Sequence, residues 1–135
     1  MDVVNRSIKV MNLTPSDVFA DLGCGDGRAM IAAVQASGCE AVGVEIDPEK
    51  AKEAWENIKK AGLESKCKII IGDARNFDQS RWGVTALYCY LYPELLAELR
   101  DKFQGVRIGV TPYHSVDGLT MKSVGDLWVY AGNEK

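Results

Sequence analysis

Apolar positions along the chain change their spacing several times, and each change marks an element. Val3, Val4, Ile8 and Met11 recur at helical intervals until Thr14-Pro15-Ser16-Asp17 interrupts them, which predicts a short leading helix. Val18 to Leu22 is a compact β-prone run. It ends in three alternating glycines, Gly23, Gly25 and Gly27, and helical spacing resumes at once through Met30, Ile31, Ala33 and Val34. Gly38 falls just past the end of that helix, where a left-handed residue commonly stops the chain.

Ala41 to Ile46 is nearly all apolar, the pattern of a parallel strand covered on both faces. Asp47-Pro48 then opens a helix, with Asp47 as N-cap and Pro48 as its first residue. Ala51, Ala54, Trp55 and Ile58 form its inward stripe, and Lys52, Glu53, Glu56, Lys59 and Lys60 its solvated face. Gly62 ends it. Cys67 to Ile71 reads as a third strand, and Val84 to Leu91 as a fourth. From Pro93 a helix carries Leu95, Leu96, Leu99 and Phe103 on one side and closes at Gly105; Val106 to Val110 follows as a fifth strand. Leu119 to Val124 and Leu127 to Ala131, separated by Gly125-Asp126, read as a terminal hairpin. Strands and helices alternate and then give way to that hairpin. The expected fold is therefore α/β: Rossmann-like, doubly wound, with a mostly parallel sheet and an antiparallel C-terminal end.

Composition adds limits. At 135 residues the chain is expected to be a single domain over 1–135 that buries a real core, and no repeat or linker divides it. No apolar run is long enough to span a bilayer, so the expected address is cytoplasmic. Cys24, Cys39, Cys67 and Cys89 form no close pair and His114 is the only histidine, so no metal is expected and the thiols read as small hydrophobes. The formal net charge is −3 with both signs interspersed, which disfavours a nucleic-acid partner.

The glycine run is the feature that carries chemistry. A strand, a turn free of Cβ atoms and a helix start allow a nucleotide-like ligand to lie against the main chain. The spacing is not G-x-G-x-x-G, and no Lys-Ser or Lys-Thr follows Gly27, so neither a dinucleotide fingerprint nor a P-loop fits. Glu45 ends the second strand about twenty residues further on, where a carboxylate can accept hydrogen bonds from both hydroxyls of a ribose. Asp73 ends the third strand in Gly-Asp-Ala. Asp21, two residues before Gly23, Glu45 and Asp73 all stand at strand ends, where ligands of such sheets bind.

Asp21-Leu-Gly-Cys-Gly-Asp-Gly-Arg28, Val42-Gly-Val-Glu-Ile-Asp47 and Gly72-Asp-Ala74 together resemble motifs I to III of the class I, seven-strand S-adenosylmethionine (SAM) methyltransferases. With Tyr88-Cys-Tyr-Leu-Tyr-Pro-Glu94, the chain is most similar to small archaeal protein-lysine methyltransferases. The resemblance implies SAM as cofactor and S-adenosylhomocysteine as product. It implies contacts from Asp21, Gly23, Cys24, Gly25, Asp26, Gly27, Glu45, Ile46, Asp73 and Ala74. Within that set Asp21 would lie near the methionine amino group, and Asp73 with the Ala74 N–H would meet the adenine edge. Asp26 has an equal claim as helix N-cap.

An aromatic, apolar mouth disfavours an ammonium ion and so delivers a lysine nucleophile neutral. Tyr90 and Tyr92, with Tyr113 and His114, stand where such a mouth belongs, and Tyr90 is the expected channel residue. Tyr88 and Tyr92 are equally explained as packing residues. The fourth strand lacks the [DN]-P-P-[YF] signature of amino-directed nucleic-acid methyltransferases. The relatives' Pro/Thr-containing segment ahead of the first helix is not found before Val3, so the cofactor mouth is expected to lack that cover or to gain it from another element. Three functions remain open on this basis: protein-lysine methylation by in-line transfer, methylation of a small molecule, and a non-catalytic SAM-binding module.

Overall fold

The structure, a computed structural model, describes residues 2–132. Met1 and residues 133–135 of the expected 1–135 domain lie outside the described residues.

Seven strands form one sheet in the order β3-β2-β1-β4-β5-β7-β6. The parallel part comprises β3 (Cys67–Ile71), β2 (Glu40–Glu45), β1 (Val18–Leu22), β4 (Ala86–Tyr88) and β5 (Ile108–Pro112). An antiparallel hairpin of β6 (Lys122–Val124) and β7 (Leu127–Ala131) adds to β5 through β7. Strand order reverses between β1 and β4. Two apolar cores flank the sheet. Phe19, Met30, Ala33, Ala54, Ile58 and Val110 pack beneath α1 (Val3–Met11), α2 (Arg28–Ser37) and α3 (Pro48–Lys60). Ala20, Leu22, Val42, Leu87, Leu96, Leu99 and Phe103 pack on the other face beneath α4 (Pro93–Glu98). Each fully buried Leu, Ile or Phe contributes about 1.5–3 kcal/mol through burial.

The helix caps follow the sequence. Asp2 accepts from the Asn5 N–H at 2.8 Å and starts α1, while Asp47 accepts from the Glu49 N–H at 2.9 Å and starts α3 with Pro48 behind it. The strands and helices of the second half are shorter than the apolar runs imply. The fourth strand covers only Ala86–Tyr88, because Cys89 makes the last bond to Val110 and the chain then leaves the sheet toward Pro93. Proline holds the preceding Tyr92 extended, at φ −71° and ψ 155°. The helix expected to reach Gly105 stops at Glu98 and continues as a 3-10 turn over Arg100–Phe103; Leu96, Leu99 and Phe103 stay buried all the same, with Leu95 half-buried beside them. The fifth strand is Ile108–Pro112, two residues later than the apolar run, and the link from β3 to β4 is two 3-10 turns, Ala74–Asn76 and Gln79–Trp82. No helix among the described residues is long and apolar enough to cross a membrane.

Candidate cofactor site and acceptor mouth

The site lies at the carboxyl ends of β1, β2 and β4. After Leu22 the chain turns through Gly23 at φ +86°, Gly25 at φ +54° and Gly27 at φ +84°. Side chains rarely tolerate these angles, so the alternating glycines are required by the turn. The turn is tied to β2: the N–H groups of Gly23 and Cys24 both donate to the Val44 carbonyl, at 2.7 and 3.0 Å. One glycine that pattern reading passed over makes this possible. A Cβ on Gly43, in the middle of β2, would lie 2.7 Å from Cys24 Sγ, so the loop can sit on β2 only because Gly43 has no side chain. A glycine inside an apolar strand is the sequence signal for such an approach. Gly27 serves packing too, since a Cβ there would meet Ala54 of α3 at 3.3 Å.

Glu45 is buried and holds the turn from the other side. One carboxylate oxygen accepts from the Gly25 N–H at 2.8 Å and the other from the Asp47 N–H at 3.1 Å. Each oxygen keeps a lone pair for a further donor. Ile46, next in sequence, is 67% exposed and offers an apolar platform beside that carboxylate. Asp73 caps the 3-10 turn after β3, accepting from the Arg75 N–H at 2.9 Å and pairing with its guanidinium at 2.7 Å. The Arg75 hydrogen bonds hold the Asp73 carboxyl down at about 2. Asp26 similarly pairs with Arg28 at 2.8 Å; the N-cap position of α2 belongs to Gly27, and Asp26 accepts instead from the Arg28 N–H at 3.2 Å.

Asp21 differs from the other acids. It is 3% exposed, its carboxylate has no hydrogen-bond partner among the described residues, and burial together with the charges of Glu45 and Asp26 pushes it up to about 8. It faces a cleft of about 450 Å³ between the first turn of α1 and the glycine loop, and Gly23, Cys24, Gly25, Asp26 and Tyr90 line the same cleft. Glu45 reaches it through Gly25. Asp73 and Ala74 stand further along the sheet at the end of β3 and do not line it.

The segment after β4 forms the mouth. Leu91 leans over Gly23, within 2.9 Å of where a Cβ would stand, and Tyr90 is turned outward, 48% exposed. Its ring lies 5.7 Å from that of Tyr113. Tyr113 is held at φ +66°, strained for a residue with a side chain, by a tight turn in which the His114 N–H donates to the Pro112 carbonyl at 2.8 Å. The buried Thr111 hydroxyl donates to the His114 carbonyl at 2.6 Å, and the Tyr113 N–H to the Asp126 carbonyl at 2.7 Å. Tyr92, the N-cap residue of α4, points into solvent away from this pair.

A doubly wound sheet whose first strand ends in an acid and a left-handed glycine turn, with a buried acid at the end of the second, is the architecture of a class I SAM-dependent methyltransferase. The buried, unpartnered Asp21 beside a Cβ-free loop fits the amino-acid end of SAM, and the anchored Glu45 with the exposed Ile46 fits its nucleoside. Comparison with known proteins agrees. Residues 21–109 match the ANTKMT methyltransferase domain, and the chain belongs to that family. It is 35% identical over 105 residues, 73% of this chain, to a protein-lysine N-methyltransferase of Saccharolobus islandicus, of whose length it spans 65%. An RNA methyltransferase of Salinibacter ruber, solved with S-adenosylhomocysteine, superposes with a TM-score of 0.84 at 30% identity, covering 95% of this chain and 87% of the other. A SAM-dependent methyltransferase of Thiobacillus denitrificans shares the fold at a TM-score of 0.65 and 18% identity, over 80% of this chain and 46% of the other.

Proposed function

We propose that residues 1–135 act as a single catalytic domain that transfers the methyl group of SAM directly to the side-chain amine of a protein lysine. The carrying observation is the mouth: the Tyr90–Tyr113 pair stands over the end of β4, beside a rim on which Asp2, Asp26 and Glu53 outnumber Arg28 and Lys50. A net acidic rim attracts a cationic chain, and the two tilted aromatic rings accept its alkyl stem and ammonium. The similarity to the Saccharolobus protein-lysine methyltransferase supports the same acceptor.

Bound SAM supplies an activated methyl on a sulfonium. The chain's own work is to hold, align and exclude water. Glu45 would accept from the ribose hydroxyls, Ile46 would cover the base, Asp73 and the Ala74 N–H would meet the adenine edge, and the Gly23–Gly25 backbone would lie against the amino-acid end. Tyr90 narrows the approach to the methyl and, with its apolar neighbours, favours loss of the lysine proton before attack. If Tyr90→Phe keeps the transfer rate and Tyr90→Ala lowers it roughly tenfold, a steric role is supported; an unchanged rate in both removes Tyr90 from the channel.

The Salinibacter structure favours a second reading, an RNA acceptor. The surface argues against it, because the arginines at the strand ends are already paired, Arg28 with Asp26 and Arg75 with Asp73 and Glu98. Radiolabelled methyl transfer into a cell lysate, split between protease and ribonuclease digestion, decides between them. Label released by protease and recovered as methyl-lysine supports the proposal; label released by ribonuclease replaces it with the RNA reading, and label in small molecules with a metabolite enzyme.

A further inference from the structure

The two outer strands of the sheet are finished differently. β6 closes one side as a short run of exposed residues, Lys122–Val124, that opens on a lysine. β3 closes the other side with three consecutive isoleucines, Ile69, Ile70 and Ile71. The Ala41 N–H donates to the Lys66 carbonyl at 2.9 Å and the Gly72 N–H to the Glu45 carbonyl at 3.0 Å. Bonds between parallel strands fall on alternate residues, so Lys68 and Ile70 complete the ladder to β2 and the peptide groups of Ile69 and Ile71 point outward. No strand meets them there among the described residues.

Ile69 and Ile71 lie on the side of the sheet covered by α3, beside an apolar groove of about 380 Å³ walled by Pro48, Ala51 and Trp55. Ile71 is 60% exposed, and Trp55 is half-buried. A strand edge with free peptide groups and an apolar groove along it is a template for one more strand.

The edge also complements itself, and this selects the occupant. Turned about a two-fold axis through Ile70, a second β3 runs antiparallel to the first and sets Ile69 opposite Ile71 at both ends. Each such pair can exchange both of its N–H···O bonds, which satisfies every free peptide group of the two isoleucines. β-Branched side chains then face one another across the pair, and Lys68 falls opposite Gly72 rather than another lysine. The same rotation brings two copies of α3 together, antiparallel, on one face of a continuous sheet. The part of α3 beside Ile69 and Ile71 runs from Ala51 to Trp55. Lys52 has no ion pair among the described residues, and Glu56, one turn further on, meets Lys59 at 3.7 Å. Antiparallel helices direct each copy's Lys52 toward the other's Glu56, so the charges match as well as the strands.

We infer that the β3 edge and the α3 groove form the contact between two copies of this chain, a two-fold dimer with one sheet continuous across it. The surface meets the requirement of such a contact, in which a single patch serves both subunits. The inference is independent of the acceptor assigned above.

The test is sedimentation velocity of the full chain over a wide concentration range, with the melting temperature of each variant measured under dilute, monomeric conditions. The wild type is expected to reach twice the mass of one chain. Ile71 is exposed, so Ile71→Lys should melt as the wild type does and weaken the dimer about a hundredfold. Lys52→Glu or Glu56→Lys alone should weaken it about tenfold, since each change disturbs two equivalent contacts, and the two together should recover wild-type association within about threefold. A wild type that stays a monomer at every concentration overturns the inference. One that gains mass only by capturing an extended peptide assigns the edge to a foreign strand and overturns it too. A dimer indifferent to Ile71→Lys, or charge changes that do not compensate each other, overturns the β3–α3 contact.

Discussion

Two aspartates bracket β1, one at each end of the same strand, and they live opposite lives. Asp17, 6% exposed, accepts from the Thr14 N–H at 2.9 Å, the Thr85 hydroxyl at 2.7 Å and the Arg107 guanidinium at 2.9 Å. Burial alone would raise its pKa, but those hydrogen bonds outweigh it and hold the carboxyl below its ordinary value. Asp21, as deeply buried, has no such partner among the described residues and is pushed up to about 8. A satisfied buried carboxylate joins β1 to β4 and β5 and does nothing else. An unsatisfied one, at the end where the strand order reverses, lowers stability and waits for a cation. The molecule is thus a stabilised amino end of the sheet supporting a destabilised carboxyl end, which is where function is expected.

The largest effect that should expose this contrast is on stability at the amino end. Asp17→Ala leaves Arg107 and Thr85 without their partner and is expected to cost about 3 kcal/mol, a fall in Tm on the order of 10 °C. Affinity for S-adenosylhomocysteine, measured below the transition, should remain within twofold. A lost affinity with unchanged Tm would reverse the roles given to the two residues.

Asp21→Asn should do the opposite. Removing one hydrogen bond to a charged group weakens S-adenosylhomocysteine roughly 10–100-fold, while the ligand-free protein melts a few degrees higher at pH 7. The direction follows from the raised pKa: folded Asp21 binds a proton that the unfolded chain has already released between about pH 4 and pH 8, so its contribution to stability is present below pH 4 and lost as pH rises to 8. Binding runs the other way. An ammonium ligand favours the ionised carboxylate, so binding below pH 8 must expel the proton, and wild-type affinity should rise by as much as tenfold per pH unit from 6 to 8. Asp21→Asn should be flat over that range; a parallel slope in the mutant would assign the titration elsewhere.

The smallest effect concerns the mouth. Tyr113→Gly relieves a left-handed side chain, expected to add about 1 kcal/mol to stability, and removes the ring that faces Tyr90. Scanning fluorimetry should show a slightly higher Tm while transfer to a lysine acceptor falls severalfold. Unchanged transfer would leave the strained turn as a structural feature only.

Much of the cofactor half was legible in the chain because its signals are local. Three alternating glycines can be read as a left-handed turn, Asp47-Pro48 as a helix start, and an acid at the end of an apolar run as a candidate site residue, since each depends on neighbours within a few positions. The acceptor half was read less well. Val84 to Leu91 is apolar but for Thr85 near its start and gives no sign that the strand stops at Tyr88, because its departure is decided by what Leu91 and Tyr90 meet in space. The positive φ of Tyr113 has no sequence signal, as it is imposed by bonds to His114 and Asp126 from the adjoining turn and hairpin.

By itself, then, the order of residues determined the alternation of elements, the α/β class and the candidate cofactor acids, all through short-range periodicity and turn chemistry. It could not distinguish Asp17 from Asp21. Whether a buried polar atom has a partner depends on residues as distant in the chain as Thr85 and Arg107, and only the sheet brings those to Asp17 and not to Asp21.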